Sequence, residues 1–435
     1  MAHTTDFREF IRYTSLNVLG MLCLSCYILA DTFFIAQGMG SDGLAALNLA
    51  LPVYSFIHGS GLLLGVGGAT RFSILKHQGR ERQGQQVYTQ AMGIAGVLAV
   101  LFVMTGVLLS DHIALWLGAE GEVHGMAKTY LQVLLLFSPL FLLQDITLAF
   151  VRNDGAPHLV MLGMMSSSLS NIVLDYVFIF MLDMGMFGAV FATSIVPAIG
   201  LCVQLPFFLR GKNTFRLVRG AWSWRQTRSI VVTGLPSLIG EVSAGVVMIV
   251  FNIIVLSLGG NLAVAAYGVV CNLAIVVTAI YTGAAQGVQP LVSRCHGAGE
   301  GDRAARFLRY ALLFTLGVSA VIYAVMFLGA SPLTALFNSE RDPQLQAMAE
   351  QGLKLYFLSC FFTGINVVLA IFFSCVERSR QANVMSVLRG FVLVIPMAFL
   401  LAWLGGMTAL WCAVAVTEGL VTVLGAVFLR RMRAE

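Results

Sequence analysis

Two carboxylates, Asp31 and Asp175, each sit inside a long apolar run about eight residues from its predicted outer end, which at roughly 1.5 Å per helical residue puts both about 12 Å below a membrane surface. A charge at that depth costs several kcal/mol unless it faces protein or water and has a partner, so such residues point first to function. Asn171 precedes Asp175 by four residues, one turn deeper on the same helical face. Thr193, on the following run as it returns, falls at the same level. Two carboxylates, an amide oxygen and a hydroxyl form an all-oxygen set that suits a hard cation such as sodium. It equally suits a proton, because two neighbouring carboxylates repel and are relieved by sharing one.

Other polar residues lie inside apolar runs. Glu241 and Glu418 fall near mid-membrane, where they can hold a second cation, contact a cationic substrate, or pair with Arg389, the one basic residue placed within a span. Tyr27 lies one turn from Asp31 on the same face, and Gln144 is a polar residue in the fourth run, so both are candidates to line a cavity. Asp145 is seven residues from Arg152, which suggests an interfacial salt bridge or a water contact at the inner end of that run.

The elements that must position these groups follow from composition. The chain is 58% hydrophobic and 11% charged, against roughly 25% charged in a soluble domain. Its mean hydropathy is +0.86. Apolar runs long enough to cross about 30 Å of hydrocarbon recur along the whole length, and the expected helices are 14–37, 44–70, 88–110, 128–151, 157–181, 188–209, 229–257, 262–293, 304–329, 344–375, 381–403 and 406–430. The first is too long for a signal peptide and carries Asp31. Most of the eight cysteines lie inside spans, and Cys23-x-x-Cys26 lacks the further ligands of a zinc site.

With both ends on one side, 22 of the 26 Lys and Arg fall on that side, leaving Lys128, Arg341 and Lys354 opposite and Arg389 within a span. The positive-inside rule then places both termini in the cytoplasm of a multi-pass inner-membrane protein. The net charge of +5 is explained by this distribution, and no nucleic-acid partner is expected. Trp222 and Trp224 at the inner edge, with Trp116 and Trp403 at the outer, fit aromatic belts.

The chain also repeats itself. Ala45-Ala46-Leu47 through Ser73 and Gly79 has a counterpart 220 residues later in Ala265-Ala266-Tyr267 through Ser293 and Gly299. The expected fold is therefore an all-α integral membrane protein, twelve transmembrane helices in two six-helix lobes related by a pseudo-two-fold axis along the membrane normal. The lobes are 1–209 and 229–435, joined by a basic cytoplasmic linker, 210–228. Such a duplication places a cavity between lobes that rock to alternate access. No H-E-x-x-H, G-x-S-x-G or P-loop pattern occurs, which argues against an enzyme or an ATP-driven pump and leaves an ion gradient or a partner to drive transport.

Several stretches resemble the multidrug and toxic compound extrusion (MATE) family over essentially the whole chain. Ala30-Asp31-Thr32-Phe33-Phe34-Ile35-Ala36-Gln37-Gly38, continued by Leu44-Ala45-Ala46-Leu47-Asn48 and Pro52, is similar to its first-helix signature. Val151-Arg152-Asn153-Asp154-Gly155-Ala156-Pro157 resembles the loop after its fourth helix, and Asn171-Ile172-Val173-Leu174-Asp175 its fifth-helix motif.

The resemblance implies secondary export of drug-like, often cationic, small molecules in exchange for inward Na+ or H+, with no other cofactor. In the prokaryotic branch that uses its N-terminal lobe, the cation site matches Asp31, Asn171, Asp175 and Thr193. Another branch uses a seventh-helix glutamate and a tenth-helix aspartate. Here the tenth span has no aspartate, and Glu241 stands about one turn closer to Pro236 than that motif has it. Two other readings remain: a flippase of lipid-linked precursors, which would want several cationic residues in its cavity, and a non-transporting receptor or scaffold. A chain with both lobes needs no second subunit, so a monomer is expected.

Overall fold

An apolar segment in hydrocarbon has to satisfy its own backbone N–H and C=O groups, and the helix does so within one segment. The computed structural model describes residues 2–220, 222–338 and 342–434, and among these no strand forms. Arg341 lies outside the described residues.

The first two spans form one helical run, Ala2–His77, divided at Gly40 into α1 (2–39) and α2 (41–77). Gly40 has φ 65° and ψ −151°, a conformation that a side chain would oppose. Next come α3 (Glu81–Trp116), α4 and α5 (Pro157–Met181). The α4 span consists of Gly121–Leu136 and Ser138–Asn153, bent by 50°. Then follow α6 (Gly185–Leu209) and the second long run, Trp224–Gly297, which breaks at Gly260 into α7 (224–259) and α8 (261–297). The chain closes with α9 (Gly301–Leu328), a short helix Ala330–Phe337, α10 (Pro343–Cys375), α11 (Ser379–Leu410) and α12 (Ala413–Ala434).

Among the described residues nine helices are long and apolar enough to span, and the bent α4 pair supplies a tenth. A straight 74-residue helix would be about 110 Å long, far beyond any bilayer, so the Gly40 and Gly260 breaks each make two spans from one helix. The protein is thus a twelve-helix, multi-pass membrane protein. The two breaks lie 220 residues apart with matching angles, and Gly79 and Gly299 repeat a second pair of positive φ values, 76° and 75°. Trp116, Trp222, Trp224 and Trp403 are all exposed.

Helix α1 begins well before the expected start at residue 14. Its first turns are amphipathic, and Phe10 and Tyr13 are buried in a cluster otherwise built from α8 to α12. Phe10 meets Tyr310 and Phe314 of α9. On the polar side, Asp6 pairs with Arg303 at 2.8 Å and Arg306 at 3.1 Å, and Arg294 binds Glu9 through two 2.8 Å hydrogen bonds. Burial pushes the Asp6 carboxyl up, but hydrogen bonds from Arg306 and Arg303 outweigh it and hold the group below its usual range.

Contacts between the two halves concentrate at the face that carries both termini. A Cβ on Gly283 or Gly287 of α8 would fall 2.7 Å from the Val18 Cα or 2.8 Å from the Thr14 Cα of α1. Helices α2 and α7 cross equally closely at Gly67 and Gly234. Gln289 of α8 donates to the Val66 carbonyl at 3.2 Å and to Thr70 at 2.8 Å, both on α2. Arg71 of α2 pairs with Glu377 between α10 and α11. These contacts shut the terminal face in this conformation.

Candidate functional site

Helices α1, α5 and α6 bring Asp31, Asn171, Asp175 and Thr193 into one buried cluster. Asp175 and Asn171 are fully buried, and Asp31 and Thr193 nearly so. The two carboxylates face each other within hydrogen-bonding reach. Asn171 Nδ2 donates to Thr193 Oγ1 at 3.4 Å, which turns the amide oxygen free. Asp31 Oδ1, both Asp175 oxygens and Asn171 Oδ1 are buried with no donor among the described residues. A buried acceptor left unmade costs about 1–3 kcal/mol, more when charged, so four together are a standing demand for a cation or a proton. The residues present therefore fit a small hard cation or a shared proton. Groups of three or more His, Cys, Asp or Glu placed to hold a metal are absent among the described residues, so the fit rests on neutral oxygens beside the two carboxylates.

Local backbone helps position the acids. Immediately after Asp175, α5 changes to a π-helical turn over Val177–Met181, a form that recurs at functional sites because it re-aims side chains. Tyr130 of α4 completes the pocket, facing both carboxylates beside Thr193. Sequence reading did not find Tyr130, since a tyrosine near the end of an apolar run gives no signal of which way it points. Tyr27 sits one turn from Asp31, and its hydroxyl meets that of Tyr54 on α2 at 3.2 Å.

The remaining candidates are dispersed. Gln144 donates to Ser167 of α5 at 3.2 Å, and Ser167 in turn donates to the Val196 carbonyl of α6, so Gln144 ties three helices together. Buried Glu418 pairs with half-buried Arg389 in the second half, with Arg389 Nε at 3.1 Å and Nη2 at 2.7 Å from Glu418 Oε1. Asn366 donates to the other Glu418 oxygen at 2.6 Å. That carboxylate is satisfied where the Asp31 and Asp175 pair is not.

Asp145 does not pair with Arg152. Seven residues of helix separate them by about 10 Å along the axis, too far for an ion pair. His58 of α2 takes the position instead, its Nδ1 2.9 Å from Asp145 Oδ2. Arg152 Nε and Nη1 are buried without a partner among the described residues. His58 was a missed residue with a visible signal, a titratable group inside an apolar run. Glu241 lies opposite, on α7, with Gly59 of α2 against its Cβ and His58 and Asp145 as the charges nearest to it.

A family model described as MatE matches residues 18–177 and again 236–400. The chain belongs to the MatE family. Among this MatE protein's relatives, multidrug export protein MepA of Staphylococcus saprophyticus is 27% identical over 419 residues, covering 95% of this chain and 91% of its own length. MepA of Staphylococcus aureus matches to the same extent. Of solved structures, MATE in complex with MaL6 superposes with a TM-score of 0.92 at 21% identity, covering 98% of this chain and 96% of its own. An outward-facing multidrug resistance MATE transporter of the MOP superfamily gives 0.91 at 21% identity, with coverages of 98% and 95%. These two likenesses carry the fold. As a MatE family member the chain is a transporter and not an enzyme.

Proposed function

We propose that this MatE transporter is a secondary antiporter that exports drug-like, often cationic, organic compounds from the cytoplasm across the cell's inner membrane in exchange for inward Na+ or H+. The observation that carries the reading is the Asp31 and Asp175 cluster, two facing carboxylates with their amide neighbour and four buried oxygens that lack a donor. A cation entering from outside down its gradient fills that demand, and its entry drives the export of the organic cargo.

The chain works as two lobes, 1–209 and 229–435, with the linker 210–228 between them and both termini cytoplasmic. Support for the division comes from the two family-model matches and from Gly40 and Gly260, which repeat at 220 residues. Support for the orientation comes from the 22 basic residues on the terminal side. With that face cytoplasmic, the closed seam belongs to an outward-open state, and rocking of the lobes opens it inward. One chain contains both walls of the cavity and acts as a monomer. Cation and substrate exclude each other through helix α1, which carries Asp31 and Tyr27 and also packs on α8. Such a coupling is reciprocal: each ligand weakens the other by the same factor.

The test is efflux of a fluorescent organic cation from proteoliposomes under an imposed Na+ gradient and, separately, an imposed proton gradient. One gradient alone should drive export, and Asp31→Asn and Asp175→Asn should each abolish it. Export at the wild-type rate by both variants would refute the coupling site.

A further inference from the structure

We propose that His58, Asp145 and Glu241 form a second binding subsite, at the seam between the halves, for the positively charged nitrogen of an organic cation, and that a proton on His58 competes with that ligand. The inference rests on the exporter reading and deepens it by naming where the cargo's charge is held.

The three groups come from three helices and both halves of the chain. His58 on α2 and Asp145 on α4 are 2.9 Å apart, and Glu241 on α7 lies across the seam beside the residue after His58, where a Cβ on Gly59 would fall 3.2 Å from the Glu241 Cβ. Since an ionised carboxylate only accepts, the His58 Nδ1 hydrogen donates to Asp145, and Nε2 is the ring position that gains and loses the second proton. Glu241 is half-buried and accepts no hydrogen bond among the described residues, so its charge is free for a ligand. A glycine shapes the approach: a Cβ on Gly61 would fall 2.9 Å from the Asp145 Cβ, and only its absence lets Asp145 reach α2.

Aromatic rings wall the same place. Tyr54 stacks on His58 at 5.9 Å and meets Phe141 edge-on at 5.8 Å, while Tyr27 reaches Tyr54 through its hydroxyl. Carboxylates beside aromatic faces are the chemistry that recognises a quaternary or aromatic ammonium. The titratable groups that face His58 are Asp145 from α4, Glu241 from α7, Tyr54 on its own helix and, through Tyr54, Tyr27 on α1. With His58 neutral the seam holds two carboxylate charges; with His58 protonated an imidazolium already stands between them. A proton taken from water onto Nε2 therefore supplies the positive charge that the leaving cation withdraws.

The experiment measures ethidium binding by fluorescence polarisation to the full-length protein in lipid nanodiscs from pH 6 to 8. Wild-type affinity should rise with pH, and His58→Gln, whose side chain stays neutral, should remove about tenfold of that change per pH unit, one proton's share of the linkage. At pH 8 the same variant, free of the competing proton, should bind ethidium at least as tightly as wild type, which also reports that it is folded. Glu241→Gln should weaken binding at pH 8 by about tenfold or more, the loss of one nearby charge in a partly desolvated site. Gly61→Ala, by displacing Asp145, should blunt the pH response while leaving Glu241 in place. A His58→Gln protein with the wild-type pH slope, or a Glu241→Gln protein with wild-type affinity, would overturn the subsite. Failure of the wild-type protein to bind ethidium at any pH would instead overturn the exporter reading beneath it.

Discussion

Replacing Gly234 by alanine tests how the terminal face is held shut. The added Cβ would stand 2.7 Å from the Leu63 carbonyl carbon and 2.9 Å from its Cα, where ordinary contact is 3.4–4 Å. Both obstacles are backbone, so no side-chain rotation relieves them, and α2 and α7 have to separate by roughly an ångström. Overpacking of this kind costs about 1–3 kcal/mol, and here the cost falls on the closed terminal face while the opened one escapes it. At about 2 kcal/mol the closed-to-open ratio falls about thirtyfold. Cys375 reports the change, because its thiol is fully buried against Thr70 of α2 and Gln289 of α8. In a protein whose other cysteines are replaced by alanine, a water-soluble maleimide should label Cys375 about thirtyfold faster in Gly234→Ala than in the Gly234 parent. Gly240→Ala on the same helix is the matched control, since a Cβ there meets nothing within 4 Å. A folded Gly234→Ala protein labelled at the parental rate would refute the claim that this crossing shuts the seam.

Removing Arg389 as Arg389→Met leaves the buried Glu418 carboxylate with only Asn366 as a side-chain donor among the described residues, and should cost about 3–5 kcal/mol, visible as a lower melting temperature in detergent. The uncharged double variant Arg389→Met with Glu418→Met should recover most of that loss; a single variant that melts with wild type would show the pair to be idle. Asp6→Asn should destabilise the docking of α1 on α9 by about 1.5–3 kcal/mol near neutral pH. Because the folded group titrates below its ordinary value of 3.8, its contribution is complete above that value and is lost as pH falls through the lower folded one. The stability gap between Asp6→Asn and wild type should therefore be constant from pH 7 to 5 and shrink only below about pH 4; a gap that already closes between pH 7 and 5 would contradict the pairing.

The sequence by itself determined the spans and their number, because apolar length and the bilayer's thickness are both one-dimensional quantities. It also put Asp31, Asp175 and Thr193 at one depth and Asn171 a turn below, since depth along a helix is residue number multiplied by a fixed rise. It did not determine who meets whom. Asp145 looked toward Arg152 along its own helix and bonds to His58 on another; Glu418 had several possible roles and is locked by Arg389 and Asn366. Tyr130 joined the acids, and the first turns of α1 crossed into the second half of the chain. Those pairings depend on how each helix is rotated about its axis and on how closely glycines let two backbones approach. Neither is fixed until all twelve helices are packed together, and so only the tertiary structure decided them.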